Sequence, residues 1–527
     1  MDERYDAVVI GSGFGGAVMA ARLAQKGAKV LVLERGRRWQ VEEFPRKPND
    51  AWVYKNPQAE RQNGWFDFRF FNHLCVVQGA GVGGGSLVYS NVSVEASPRV
   101  FDRGWPEEID YPEVKPYYDL VGQMLEAQDI PDRQLPVRHH LFKEGARKLG
   151  YETRFSKLPL AVRFDPDYDP SHLEDPYHRK HSREEVNPQG IPQGTCVHLG
   201  NCVIGCDVQA KNSLDLTYIP LAEKHGAKVA PLHLVKAIEP TGKGYRIHFD
   251  HLLNGKRQPG SVVSDQVVVS AGSIGSTELL LQCRDRYRTL PALSPALGKR
   301  WSSNADFLTP AFYRDRPVDA TRGPNITAGL SFMDRAEYST RFFIEDGGFP
   351  SLLEMYQRHK VEDRSGNLKI KLLVKVLRRL AKGWDVTTSV MPWFSQGVDQ
   401  SEGRLYLGRS RLKPWQRTLK LDWRASESKM LIDSIFDVHK RLSLATGGEP
   451  RELPHWKYLK YLVTPHPLGG CAMGRNAAEG VVNHRCEVFG YPNLFVVDGA
   501  VFPSALGRNP SRTIAAIAER TAALLDR

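Results

Sequence analysis

The segment that most constrains this chain is its N-terminus. Ala7-Val8-Val9-Ile10 is a short apolar run of the kind found in strands buried on both faces. It meets Gly11-Ser12-Gly13-Phe14-Gly15-Gly16, whose glycines at 11, 13 and 16 fit G-x-G-x-x-G. A helical pattern follows (Val18, Ala21, Leu23, Ala24), Gly27 ends it, and Val30-Leu31-Val32-Leu33 makes a second strand. In such a unit Gly11 makes the tight turn and Gly13 lets backbone approach a pyrophosphate. Gly16 allows the helix to pack closely on the strand, and the helix N-terminus faces the phosphates. Glu34 closes the second strand, where a carboxylate accepts hydrogen bonds from ribose hydroxyls and repels a 2′-phosphate. NADP is therefore disfavoured, but the unit alone does not separate NAD from FAD.

Three later segments favour FAD. Gly79-Ala80-Gly81-Val82-Gly83-Gly84-Gly85-Ser86 is a second glycine-rich stretch, flanked by apolar Cys75-Val76-Val77 and Leu87-Val88. Without side chains its backbone N–H groups can reach a ligand. Val267-Val268-Val269-Ser270-Ala271-Gly272 reads as a strand ending in small residues, followed by a helical Glu278-Leu279-Leu280-Leu281. Asn493-Leu494-Phe495-Val496-Val497-Asp498-Gly499 is a strand ending in Asp-Gly, suited to ordering the ribityl or pyrophosphate region of a flavin.

In this order, Gly79–Asn91, Ser270–Leu281, His466-Pro467-Leu468-Gly469-Gly470-Cys471 and Asp498–Thr513 resemble the glucose–methanol–choline (GMC) oxidoreductase family, and within it the cholesterol oxidase-like branch. The likeness thins between about 305 and 460. It implies an α/β fold: a discontinuous Rossmann-like FAD-binding domain (1–45, 75–100, 200–305 and 465–527) and a second, substrate-binding domain with a lid, a sheet covered by helices (46–74, 101–199 and 306–464). It also implies a flavin site built from Gly11, Gly13, Gly16, Glu34, Gly81, Gly83, Gly84, Gly85, Ser86, Asn91, Val235, Ala271, Gly272, Asp498, Gly499, Asn509 and Pro510. Ala80 and Tyr89 depart from residues common in the family. No histidine lies between 79 and 95, so the covalent histidyl–flavin link of some relatives is not expected there.

Oxidising an unactivated alcohol requires the hydroxyl proton to leave to a base and the carbinol hydrogen to leave as hydride. A histidine suits the first task, and an amide can hold the same oxygen without competing for the proton. His466 lies between Pro465 and Pro467, and Asn509 lies in Gly507-Arg508-Asn509-Pro510. By the resemblance they are the family's pair over the flavin, His466 as base and Asn509 as partner. Phe343-Ile344-Glu345-Asp346 resembles the steroid-oxidase segment whose glutamate moves a proton during double-bond isomerisation. Glu345 takes that position; the alternative is a surface carboxylate in a loop.

Cys196, Cys202 and Cys206 form C-x5-C-x3-C. Three thiolates can ligate iron–sulfur or zinc, but only three cysteines cluster, so no metal is expected and the thiols are read as inert or redox-sensitive. Residues 368–382 read as a cationic amphipathic helix, suited either to an anionic bilayer or to packing on the substrate domain. The formal net charge of +12 is spread along the chain without a nucleic-acid motif, and no stretch approaches a membrane span. With no leader pattern and an odd count of 7 cysteines, a cytoplasmic protein is expected, with peripheral membrane contact as an option. The favoured function is FAD-dependent oxidation of a bulky, sterol-like or otherwise lipophilic alcohol, with oxygen or an electron carrier as acceptor. The rivals are a GMC dehydrogenase on another alcohol or sugar, a flavin isomerase or photodecarboxylase without net oxidation, and a plain NAD-binding protein.

Overall fold

The computed structural model describes residues 3–171, 179–351, 386–410, 415 and 417–525. The segment 368–382, with its amphipathic helical pattern, lies outside the described residues.

The N-terminal unit forms as its pattern dictates. Strand Arg4–Ile10 pairs in parallel with Val30–Leu33, with Val8 opposite Leu31 and Ile10 opposite Leu33. On its other side it pairs in parallel with strand Lys256–Val269, Val8 opposite Val267 and Ile10 opposite Val269. Leu494–Val496 extends this parallel core against Val267–Val269. The four strands are near-continuous apolar runs where they pair, as strands buried on both faces are. Helix Phe14–Gln25 packs against helix Ser511–Leu524, and a part-buried Arg22–Glu519 ion pair joins them. Strands His233–Pro240, Tyr245–Leu253 and Lys228–Ala230 complete a seven-stranded sheet. The carboxyl ends of Arg4–Ile10, Val30–Leu33, Lys256–Val269 and Leu494–Val496 open on one side, where parallel sheets hold ligands.

A second, antiparallel sheet has six strands in the order Glu449–Pro450, Phe307–Phe312, Val390–Gly397, Phe342–Asp346, Ala328–Ser331 and Phe155–Lys157. Helices Val137–Lys148 and Lys429–Ala445 pack against it. Their apolar stripes, with Phe142 from the first and Ile435, Val438 and Leu442 from the second, supply its core. A third sheet orders Leu462–Thr464, Leu74–Gly79, Phe66–Phe70 and Val53–Tyr54. It joins stretches that the sequence pattern divides between both domains. The fold is thus mixed α/β, with a Rossmann-like sheet and a separate antiparallel sheet both contributing to one crevice.

Candidate active site

The crevice holds a cavity of about 620 Å³. Gly11, Ser12, Gly13, Phe14, Gly15 and Glu34 line one part of it, and His466, Asn509, Phe349 and Phe394 another.

The glycines of the first loop divide into two kinds. A Cβ on Gly16 would lie 2.0 Å from the Gly11 carbonyl oxygen, and one on Gly15 would lie 1.7 Å from that of Val497. These two let helix and strand touch. A Cβ on Gly13 would meet no protein atom within 4 Å, although the residue borders the cavity at the start of a helix. The room it leaves serves a ligand, and the helix N-terminus favours an anionic one. Glu34 is buried at the cavity wall. Its carboxylate accepts from Ser12 N (3.1 Å), Ser12 Oγ (2.7 Å) and Gly36 N (2.8 Å), which leaves lone pairs for a ribose.

The second glycine loop packs on the first. Ser12 Oγ accepts from Gly83 N at 3.1 Å, and a Cβ on Gly84 would lie 2.6 Å from the Gly13 Cα. Gly84 and Gly85 border the cavity. Gly81, Gly83 and Ser86 sit behind them: Ser86 Oγ donates to Gly83 O and accepts from Leu214 N, so these residues hold the loop rather than line it. Asn91 is also off the wall, buried at φ 67°, with both side-chain amide atoms unpartnered by protein. Val235, Ala271, Gly272, Asp498, Gly499 and Pro510 all line the cavity. Asp498 ties the carboxyl ends together, accepting from Gly272 N (2.8 Å), Ser276 Oγ (2.5 Å) and Ala500 N (2.7 Å). Burial pushes its carboxyl up to about 6, against those hydrogen bonds. A helix N-terminus with room for a phosphate and a buried carboxylate with unused lone pairs, both at the cavity wall, fit FAD.

His466 follows strand Leu462–Thr464, and Pro467 after it restricts its backbone to extended conformations. Its Nδ1 lies 2.8 Å from Oδ1 of Asp306, a residue with no exposed surface. No protein atom among the described residues hydrogen-bonds Nε2, and the ring borders the cavity. The Nδ1 contact leaves Nε2 as the proton-accepting nitrogen. Burial works to lower the imidazole pKa, but the charge and hydrogen bond of Asp306, with Glu345 adding, raise it above that of a free histidine. Burial likewise holds the Asp306 carboxyl above its ordinary range, against the pull of His466 and Thr464.

Asn509 lines the same cavity, and its Nδ2 donates to Oε2 of Glu345 at 3.4 Å. Glu345 is neither a loop residue nor exposed: it lies on strand Phe342–Asp346 at 0% exposure. It sits behind Asn509 rather than on the cavity wall. Burial pushes its carboxyl up to about 7, countered by Gln396, His466 and Asn509. Gln396, which donates to Glu345 at 2.7 Å, and Asp306 carry no local sequence signal, since both lie in or beside ordinary strands.

Cys196, Cys202 and Cys206 are free, and burial raises the Cys196 and Cys206 thiols. Among the described residues no group of three His, Cys, Asp or Glu could hold a metal ion. The cysteine stretch supports the second glycine loop, because Lys211 just beyond it donates to Leu87 O and Cys202 O. No helix among the described residues is long and apolar enough to cross a membrane.

The chain matches the family model described as GMC oxidoreductase over residues 399–518, and an NAD(P)-binding Rossmann-like model over 9–39. It is 30% identical to a cholesterol oxidase of Mycobacterium tuberculosis over 99% of this chain and 91% of that protein. It is 28% identical to a cholesterol oxidase of Acinetobacter baumannii over 98% of this chain and 93% of that protein. A solved formate oxidase from Aspergillus oryzae shares the fold with a TM-score of 0.64 at 14% identity, over 99% of this chain and 98% of that one. The near-complete alignment at 30% identity, together with the match of its C-terminal part to the family model, makes the chain a member of the GMC oxidoreductase family, an FAD-dependent enzyme that oxidises CH–OH donors.

Proposed function

We propose that this enzyme oxidises a bulky, lipophilic, sterol-like secondary alcohol, with His466 as base, Asn509 as its partner and oxygen as acceptor. The observation that carries this reading is the meeting of one imidazole and one amide beside an apolar stretch of cavity wall. Leu308, Ile326, Phe349, Pro392, Phe394 and Val463 supply that wall. The relatives named for cholesterol oxidation support the same class.

Bound FAD supplies the acceptor for the carbinol hydride. The protein's part is to hold and deprotonate the hydroxyl. Nε2 of His466 takes the hydroxyl proton while the C–H bond breaks, giving a ketone and an imidazolium. Asp306 stabilises that imidazolium by charge and hydrogen bond. The Asn509 amide holds the substrate oxygen. Its Nδ2 also faces Glu345, whose carboxyl burial raises to about 7, so Glu345 is the group we assign to any later proton movement on the substrate carbon skeleton.

The third sheet supports a lipophilic substrate and peripheral contact with lipid. Phe66, Phe68 and Phe70 stand on one face of their strand, with ring centroids 5.7 and 6.3 Å apart. Phe66 borders the cavity, and Phe70 is 73% exposed. On the neighbouring strands Cys75 is opposite Phe70 and Val463 is opposite Cys75, so these side chains share that face. Exposed Tyr458 and Leu459, with Lys457 and Lys460, adjoin it through Tyr461, which donates to Phe71 O. An apolar ladder leading from solvent to the cavity suits a substrate drawn from a membrane or micelle.

The test is anaerobic flavin bleaching with sterols, terpenols, long-chain alcohols and sugars, then aerobic turnover with hydrogen peroxide measured. A sterol or another polycyclic alcohol should bleach the flavin fastest. A sugar bleaching it faster than any lipophilic alcohol would overturn the substrate class. Reduction without peroxide on admitting air would point to an electron carrier as acceptor.

A further inference from the structure

We propose that Asn304-Ala305-Asp306 is the positioning element of this active site, holding the His466 loop with one side chain and the Asn509 loop with the other. This rests on His466 and Asn509 being the groups that handle the substrate hydroxyl.

The two loops come from separate parts of the chain. The tripeptide joins them from the start of strand Phe307–Phe312. On one side, Asp306 receives His466 Nδ1 on Oδ1 (2.8 Å), and on Oδ2 it receives His466 N (3.1 Å) and the Thr464 hydroxyl. The stitching continues along the same loop. Thr464 Oγ1 also lies 2.9 Å from Ser303 O, sharing its one proton between that carbonyl and Asp306, and Ser302 exchanges two backbone hydrogen bonds with Leu468. On the other side, Asn304 Oδ1 accepts from Leu506 N (3.2 Å) and Gly507 N (2.8 Å), and its Nδ2 donates to Arg508 O (3.0 Å). Asn509 is the next residue. The Asn304 carbonyl accepts from Gly397 N, next to the Gln396 that holds Glu345.

The backbone carries a cost at this point. Asn304 and Ala305 have φ of 53° and 45°, and an alanine side chain can form no hydrogen bond in return. Such a conformation persists only where its surroundings over-determine it. Asp399, fully buried, does this from behind by accepting from Ser302 Oγ, Ser303 N and Ser303 Oγ. Strained backbone held by this many hydrogen bonds is expected where the placement of two side chains matters more than local comfort.

Asp306 does more than locate the ring. By accepting a hydrogen bond from Nδ1–H it commits Nε2 to accept the hydroxyl proton, and its charge favours the imidazolium. Among the described residues, the other charges near this imidazole are Glu345 on strand Phe342–Asp346, with Asp346 beside it, and Arg508, whose guanidinium feels the Glu345 charge. Asp306 is the one in direct contact with the ring.

Asp306→Asn should therefore slow flavin reduction by at least about tenfold, below the usual contribution of an oriented base. It should also move the acid limb of its pH profile to lower pH, with partial recovery in Asp306→Glu. Asn304→Ala should slow reduction without moving that limb. The deciding measurement is a pair of double mutants. Asp306→Asn added to His466→Ala, and Asn304→Ala added to Asn509→Ala, should cost nothing further, because each acts through a group already gone. ¹⁵N-histidine spectra of the FAD-loaded protein give a readout apart from turnover. The resonance lost in His466→Ala should show a protonated Nδ1 in the wild type and lose that signature in Asp306→Asn. Full additivity in both double mutants, or an unshifted pH profile and histidine spectrum in Asp306→Asn, would overturn the positioning role. Wild-type flavin reduction in His466→Ala would instead overturn the base assignment on which it rests.

Discussion

The Asn509 amide donates to Oε2 of Glu345 across 3.4 Å, and Gln396 donates to the same oxygen across 2.7 Å. Two donors do not offset full burial, so the Glu345 carboxyl is raised to about 7. A carboxyl whose folded pKa is raised binds its proton more tightly in the folded state. Stability from this group is present below the unfolded value of about 4.5 and is lost as pH rises through about 7. The loss is on the order of 3 kcal/mol. Glu345→Gln cannot ionise and should escape it. The stability of the mutant relative to wild type should therefore be greater at pH 8 than at pH 5, by roughly that amount in denaturant titrations. An equal difference at the two pH values would show that Glu345 ionises as an ordinary carboxyl.

The glycines of the first loop give a test that separates folding from cofactor binding. Gly16→Ala brings a methyl to 2.0 Å from the Gly11 carbonyl and should lower the melting temperature whether or not FAD is present. Gly13→Ala meets no protein atom and has an allowed φ of −72°, so the protein should fold normally. Its FAD affinity should fall by about tenfold or more, since the methyl enters the space for the pyrophosphate. Undiminished FAD affinity in Gly13→Ala would mean that the phosphates lie elsewhere.

His466→Ala and Asn509→Ala should retain FAD, because neither side chain supports the glycine loops. Each should lose at least about a hundredfold in the rate of flavin reduction. Rapid-mixing absorbance at the flavin band measures this directly, and a near wild-type rate in His466→Ala would remove it from the role of base.

FAD should be released by acid. The chain has no histidine between 79 and 95, and among the described residues the histidines bordering the cavity are His233 and His466. The second of these is committed to Asp306 at Nδ1 and is wanted free at Nε2. After acid precipitation the yellow colour should be in the supernatant, and colour retained in the washed pellet would show a covalent bond.

The sequence discloses what is local. Gly11–Gly16, the strands beside it and Glu34 are neighbours in the chain, and their physics is that of a single turn. The Asp498-Gly499 strand end is equally local. Asp306 and Asn304 were not legible, because their meaning lies in partners 160 residues away at His466 and 202 away at Leu506. Nothing in Ser302-Ser303-Asn304-Ala305-Asp306 marks it off from a polar strand cap. The burial of Glu345 was also hidden: it is flanked by Ile344 and Asp346, and its cross-strand partner Phe394 and the reach of Gln396 are set by pairing distant in the chain. Gly81, Gly83, Ser86 and Asn91 lie in or close to the second glycine loop but off the cavity wall, because a glycine-rich pattern does not tell which residues line a cavity and which brace it. Phe66, Phe68 and Phe70 did offer a signal, since aromatic residues at every second position mark one face of a strand.

Oxidation of a suitable steroid sets up a second proton transfer. A ketone one carbon removed from a double bond has an acidic hydrogen between the two, and a nearby carboxylate of raised pKa can move it to conjugate the system. Glu345 has the proton affinity for this, but it stands behind Asn509, joined to it by a 3.4 Å hydrogen bond. Isomerisation therefore requires the Asn509 side chain to turn aside after the hydride step, whereas oxidation requires it in place. The two activities should separate by mutation. With a steroid carrying such a double bond, Glu345→Gln should still bleach the flavin but release the unconjugated ketone. Wild type should release the conjugated enone, with its strong ultraviolet absorbance. Gln396→Leu removes the stronger of the two donors to Glu345 without touching the oxidation pair. It should raise the carboxyl further and shift the pH dependence of enone formation upward, while flavin reduction keeps its own profile. A wild type that never forms the enone, or a Glu345→Gln variant that forms it at the same rate, would leave Glu345 with no task beyond holding Asn509.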